Sequence, residues 1–472
     1  MMNIDRMRSR TALLRGVLLA AVVALVPAAC AEDLVVPDFN NPGLDDLQNN
    51  PTRAAVLNAA QGLLIGSRAQ ISSTNGYLSL LGILGRESYN FDNADPRFIT
   101  EMLAGAGLNA SSPAFGGNLW GLRYNNIRTA NVVINALDGL GENDMTGEEK
   151  AAISGFARTL QALDFLEIIN TRDSNGAVID VNRPVTEPAG AIVSRDAVFA
   201  HIESLLDQAA SDLASGGGSF PFSLGGGFTG FDTPTSFAQA NRGLAARVAV
   251  YQGNYGAALT ALTQSFLDES APLSTGAYHT FSTGSGDTQN GIAASGDIFA
   301  HPSLLDDVQS NGGGEQDARF VAKLSVLDPP ESEAGISTDV GFKLYANLTD
   351  PVPIVKNEEL ILLRAEAQLG MGMLQQAADD INFIREESGG LDEISDLGTQ
   401  SADAILDELL YNKRYSLLFE GGHRWIDMRR YGRLDELPLA DPTHRVHERF
   451  PIPEAECLEQ TGGSTGICSF GS

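Results

Sequence analysis

Apolar positions recur along most of this chain at the three-and-four spacing that builds one face of a helix. The clearest run follows Ser194, where Val198, Phe199, Ile202, Leu205, Leu206, Ala209, Ala210 and Leu213 fall on one stripe. Ser194 is placed to cap that helix, and Asp196 sits in its first turn, near the positive end of the helix dipole. Thr146-Gly147-Glu148-Glu149 is a capping box and predicts a helix reaching about Ile169. Similar patterns predict helices near 51–70, 118–139, 236–267, 357–388 and 403–430. Two long stretches lack the period. Residues 215–235 are rich in Gly and Phe, and 268–356 mixes Gly, Ser, Asp and Pro with a few short strand-like runs. Irregular segments that long are usually functional or disordered. The fold class expected is mainly α, with long loops inserted between helices.

Two predicted hairpins share a spacing. In Ala246…Gly253-Asn254-Tyr255-Gly256-Ala257-Ala258 and in Ala365…Gly372-Met373-Leu374-Gln375-Gln376-Ala377, a glycine follows one alanine and precedes another by matching intervals. Small residues let two helices approach closely, glycine permits the turn, and Tyr255 or Leu374 fills the gap between hairpins. That arrangement is the core of a tetratricopeptide repeat, whose stacked copies present surfaces to partners.

The N-terminus reads differently. Four arginines precede the uncharged apolar run Gly16–Val26 (GVLLAAVVALV). A membrane-spanning helix needs about 20 apolar residues, so this shorter run is the hydrophobic region of a signal peptide covering 1–29. Pro27-Ala28-Ala29-Cys30 resembles the lipobox of bacterial lipoproteins, with Pro27 where that motif prefers Leu. Cys30 is thus the expected lipidation site; the alternative is ordinary cleavage with Cys30 a bystander. Residues 30–50, rich in Asp, Asn and Pro, read as a tether between lipid and body. If Cys30 is acylated, Cys457 and Cys468 remain in an exported chain, and a disulfide is their natural pairing. Two thiols do not make a structural zinc site.

Charge removes whole classes of partner. Acidic residues outnumber basic ones 60 to 31, for a net charge of −29. Such a surface repels phosphate backbones and anionic headgroups, so nucleic acid is not an expected partner. Length alone, 472 residues at about 150 per domain, suggests three domains.

Three segments change that count. Trp120-x3-Tyr124-x2-Ile127-x2-Ala130-Asn131-x2-Ile134 is the first; the second is Glu359–Ala367 (ELILLRAEA), followed by Asn382-Phe383-Ile384-Arg385. The third, Asn412–Gly432 (NKRYSLLFEGGHRWIDMRRYG), is close to the signature E-R-x-E-L-x-F-E-G-x-R-x-x-D-x-R-R-x-G, and Phe450-Pro451-Ile452-Pro453 fits a closing P-I-P. On these segments the chain resembles the SusD/RagB family of surface lipoproteins, which work with SusC-like TonB-dependent transporters. Asn412 and Ser416 depart from the family's frequent acids, and the stretch after Ile169 lacks its Gly-x-x-Pro. The resemblance implies a single domain over 51–472, a helical tetratricopeptide-like scaffold with ligand loops. It also implies an outer-membrane, cell-surface location through the lipid anchor, a glycan or peptide ligand, delivery of that ligand to the transporter, and no catalysis or cofactor. A second reading is a surface lipoprotein whose repeat scaffold organises protein partners without small-molecule cargo.

Candidate chemistry does not favour an enzyme. Gly462-Gly463-Ser464-Thr465-Gly466 fits a nucleophile elbow, yet no Asp or His follows it. His444-x-x-His447-Glu448 is not the zinc-protease order, the Gly-rich run at 215–230 has no Lys for a phosphate loop, and six scattered histidines make no metal set. The charges of 420–430 read as helix-stabilising pairs: His423 with Asp427, Glu420 with Arg424, or Asp427 with Arg430. Sugar binding needs rings to stack on. The two tryptophans, Trp120 and Trp425, lie in signature helices where packing is their expected task. That scarcity weakens a glycan reading, since peptides are captured more by backbone bonds and apolar pockets. The expected ligand residues are Arg86, Tyr89, Asn90, Phe91 and Asp92, with Tyr278 and Phe281; the first segment could equally be a polar turn around two buried rings. The phenylalanines of 215–235 are expected to fold inward or face a transporter.

Overall fold

Capping chemistry sets where the helices begin. Thr146 Oγ accepts from the Glu149 N–H at 3.2 Å while Glu149 Oε2 accepts from the Thr146 N–H at 3.0 Å. Ser194 and Ser401 cap later helices through Ala197 N–H and Ala404 N–H. The computed structural model describes residues 44–461 except 105–107, 112–114, 116, 117 and 185. Signal peptide, Cys30 and the Cys468 tail lie outside the described residues.

The principal helices are α1 (Arg53–Arg68), α2 (Tyr77–Leu84), α3 (Asn118–Leu137), α4 (Gly147–Arg172), α5 (Arg195–Ala214), α6 (Pro234–Tyr251), α7 (Tyr255–Thr263), α8 (Asn357–Gly370), α9 (Leu374–Glu387), α10 (Ala402–Ser416) and α11 (His423–Arg430). The strands are β1 (Ser88–Asn90), β2 (Ala177–Val178), β3 (Ile192–Val193), β4 (Gly276–His279), β5 (Ile298–Ala300), β6 (Leu324–Glu333), β7 (Ile336–Phe342) and β8 (Val352–Lys356). The mainly helical fold expected from the sequence is therefore the fold observed. The helix α4 continues past Ile169 to Arg172, and the apolar stripe of α5 is buried apart from half-buried Ala210. One helix escapes the periodicity: α2 (YLSLLGIL) is buried on every side, so no polar face marks it.

From α3 to α8 each helix packs on the next, and α8 also packs on α9 and α10, itself in contact with α9. Both predicted hairpin turns use glycine in the left-handed region, Gly253 at φ 73° and Gly372 at φ 75°, where a side chain would be strained. Tyr255 closes the gap between the hairpins as expected. Its ring lies so near Gly370 that a Cβ there would sit 2.2 Å from Cε2. From Leu47 onward the described residues form one compact unit.

Two features position the rest. The α7–α8 connection leaves and re-enters the scaffold through an antiparallel pair, β4 with β8. Within it, β5 pairs with β1, tying residues 88–90 to 298–300, and β6 pairs with β7 as a hairpin. Within residues 215–235 the phenylalanines turn inward: Phe220, Phe228 and Phe231 are buried, and the Phe220 and Phe228 rings lie 5.6 and 5.7 Å from that of Phe237.

Candidate functional site

The ring-bearing segment after α2 is internal. Tyr89 and Phe91 are 2% and 5% exposed, with ring centroids 5.6 Å apart, and Tyr89 Oη shares a 3.0 Å hydrogen bond with His301 Nε2. Arg86 is 1% exposed and donates to the carbonyls of Ile83, Pro438 and Arg445, at 3.0, 3.0 and 2.8 Å. Burial brings its guanidinium down to about 10. Asn90 donates to Thr74 O and accepts from Asp92 N–H; Asp92, half-buried, accepts from Ala94 N–H. These are contacts of a turn wrapped round two buried rings, the alternative the sequence left open. Pairing of β1 with β5 runs along residues 88–90 of this segment. Phe281 is likewise buried, beneath the Arg68 guanidinium at 5.5 Å. Of the expected ligand rings, Tyr278 lines an open cavity.

The signature helices are also internally complete. Lys413 Nζ lies 2.8 Å from Glu366 and 2.6 Å from Asp427, and Arg430 pairs with the same two acids at 2.7 and 2.8 Å. Tyr431 donates to Glu366 Oε1 at 2.8 Å. Of the three pairs expected within this segment, only Asp427–Arg430 forms. His423 instead faces Tyr251 Oη at 3.4 Å, and burial brings it down to about 3. Arg424 donates to Gly85 O, and Glu420 turns to Lys356 at 2.7 Å. Both tryptophans pack as expected: Trp120 is 5% exposed and Trp425 fully buried, its indole N–H donating to His447 O at 2.8 Å. Among the described residues no group of three or more His, Cys, Asp and Glu side chains is gathered to hold a metal.

A cleft of about 780 Å³ opens where β4 and β8 meet the ends of the repeat hairpins. The strand period sorts its residues. Along β4, Ala277 and His279 turn inward and are buried, whereas Tyr278 turns outward and is half-buried. Tyr278 donates through its hydroxyl to Ser274 O, which fixes the ring against the 269–274 turn. His279 lines a small cavity of about 40 Å³ behind the strand. Opposite Tyr278, Pro351 and Pro353 of the β8 segment, Leu344 and Phe383 of α9 supply apolar wall.

Four carboxylates and one ammonium complete the lining. Glu358 and Glu420 are buried at the inner end, flanking Lys356 at 3.1 and 2.7 Å. Lys356 also donates to Ser416 O at 2.9 Å, so its N–H groups all point at protein oxygens. Burial alone would raise the Glu358 carboxyl, but Lys356 and Lys323 beside it bring it down to about 2. At the rim, Glu269 pairs with Arg364, and Glu387 is exposed with no ion pair or hydrogen bond among the described residues. Sequence reasoning missed Lys356, Glu358, Phe383 and Glu387. Three of them lie in or beside the second signature segment, and the remaining signal was the long irregular stretch 268–356.

Cys457 is disulfide-bonded, with the expected partner Cys468 outside the described residues. No helix among the described residues is long and apolar enough to cross a membrane.

Residues 345–466 match the sequence model of the SusD family. Solved structures of similar fold include a SusD superfamily protein from Bacteroides vulgatus, with TM-score 0.65, 14% identity and coverage of 88% of this chain and 98% of that one. A SusD-like protein from Bacteroides fragilis gives TM-score 0.65 at 15% identity, covering 89% and 98%. A laminarin-binding SusD-like protein gives 0.59 at 17%, covering 86% and 97%. No curated protein matches the chain in sequence.

Proposed function

We propose that this chain belongs to the SusD/RagB family and is a cell-surface lipoprotein that captures a glycan in the β4–β8 cleft and delivers it to a SusC-like TonB-dependent transporter. The observation that carries the binding step is the cleft itself. It offers a half-buried tyrosine ring, proline and phenylalanine walls, and carboxylates able to accept from sugar hydroxyls. Similarity to a laminarin-binding SusD-like protein supports glycan over peptide as cargo. The signature segment supports a scaffold role, because its charges are all engaged within the fold. The resemblance to the family supports transfer to a transporter, and the lipobox supports anchoring through Cys30.

Native affinity electrophoresis in gels containing laminarin and other oligosaccharides tests capture. Retardation by at least one glycan, weakened roughly ten-fold by Tyr278→Ala, is expected; no retardation, or none that depends on Tyr278, rejects the cleft. For delivery, purification of the tagged lipoprotein in mild detergent is expected to bring a large barrel transporter with it, and Cys30→Ser is expected to release the protein from the membrane fraction.

A further inference from the structure

The chemistry of the cleft narrows the glycan that fits it. A uronate or sulfate group is held by cationic donors, usually Arg or Lys, aimed at its oxygens. Among the described lining residues Lys356 is the sole cation, and its ammonium already faces Glu420, Glu358 and Ser416 O at 2.7, 3.1 and 2.9 Å. Turning it to a ligand would leave two buried carboxylates to Lys323 alone, 3.5 Å from Glu420, a costly exchange. The cleft thus has no free cation to offer. It does have free acceptors: Glu387 is exposed and unpaired among the described residues, and Glu269 is half-exposed and shares Arg364 with Asp380. The whole chain adds a field of the same sign, with net charge −29.

We infer that the cleft selects oligosaccharides that present hydrogen-bond donors and carry no negative charge, taking amino sugars ahead of neutral ones and rejecting uronates and sulfates. The inference rests on the cleft being the glycan site. A protonated sugar amine beside Glu387 forms a charge-assisted hydrogen bond, whereas a hydroxyl in its place forms an ordinary charge–dipole one. At a rim open to solvent the gain is modest, roughly two- to five-fold in affinity. Repulsion acts on an anionic sugar through the same carboxylate.

The test is an array of neutral glucans, β-1,4-glucosamine and N-acetylglucosamine hexamers, oligogalacturonates and sulfated oligosaccharides, followed by calorimetry of the hexamers at physiological salt. The glucosamine hexamer is expected to bind roughly two to five times more tightly than its acetylated counterpart, and the oligogalacturonate the most weakly of the three. Glu387→Gln should erase the difference, while Glu203→Gln, an exposed acid on α5, should keep it. Equal affinity for the two hexamers, or a preference that survives Glu387→Gln, overturns the inference. Tightest binding of an anionic sugar, lost in Tyr278→Ala, also overturns it but leaves the cleft as the glycan site. Binding of no oligosaccharide, or binding indifferent to Tyr278→Ala, removes the site and the inference together.

Discussion

The signature segment 412–432 and the β4–β8 cleft are both rich in charge, yet they use it in opposite ways. Lys413, Asp427 and Arg430 of the signature segment close on one another and on Glu366 of α8 at 2.6–2.8 Å, out of water. In the cleft the inner charges are paired, but the rim leaves Glu387 unpaired in solvent. A motif dense in acid, His, Arg and Trp looks like chemistry in a sequence. Here that density is what makes burial possible, since each ion needs a partner to offset its desolvation. In the proposed site, function falls instead to residues whose neighbours leave them incomplete.

The comparison breaks if a buried ring turns out to bind ligand or a buried ion to be dispensable. The largest effect is expected for Tyr89→Ala with Phe91→Ala. Each truncation of a buried aromatic costs about 3–5 kcal/mol, and because the rings touch the two costs need not add. The double variant should lose most of its folded population in a thermal melt. A variant that keeps its melting temperature and loses glycan would return the segment to the binding surface. Next is Lys413→Met, which leaves Glu366 and Asp427 facing each other with Arg430 alone. A loss of about 3–5 kcal/mol in urea unfolding is expected, with glycan affinity of the folded fraction unchanged.

Acid and alkali separate the same regions. Glu358 falls from an ordinary 4.5 to about 2, so its contribution is complete above about 4.5 and lost as pH falls toward 2. Glu87 moves the other way. Burial pushes it up to about 7, although the Phe419 N–H donates to it at 3.2 Å. Glu167 is pushed by burial up to about 8, against the pull of Arg123. Between 4.5 and those values the folded chain holds protons that the unfolded chain has released, so both acids make stability fall as pH rises through that window. Urea midpoints should therefore peak at about pH 4 as far as these three groups decide it, and Glu87→Gln should flatten the alkaline limb. A limb unchanged in that variant would show that Glu87 enters water.

Much of the scaffold was legible because its rules are local. A capping box, a stripe of apolar residues and a glycine needed at positive φ each lie within a few residues, and they located α4, α5 and both hairpins. The cleft was not legible because its walls come from 269–274, β4, β8 and α9, which only the β4–β8 pairing brings together. The segment 86–92 misled for the matching reason. Its alternation of rings and polar groups suits a groove, and only its partner β5, some two hundred residues later, covers it. Tyr278 and Phe281 were not distinguishable in the sequence, because the strand period that turns the Tyr278 ring outward is visible only once β4 is known.

The smallest effect is the most specific about what Tyr278 contributes. Its hydroxyl is already committed to Ser274 O, so its ring face is what it offers a ligand. Tyr278→Phe keeps that face and removes a bond that steadies the 269–274 turn, a loss of about 1 kcal/mol at most in stability. Glycan affinity should then change by less than roughly three-fold, against roughly ten-fold for Tyr278→Ala. If Phe weakens binding as much as Ala does, the hydroxyl rather than the ring meets the sugar. The bond to Ser274 O must then break on binding, and the cleft recognises its ligand by exchange of a hydrogen bond instead of by stacking.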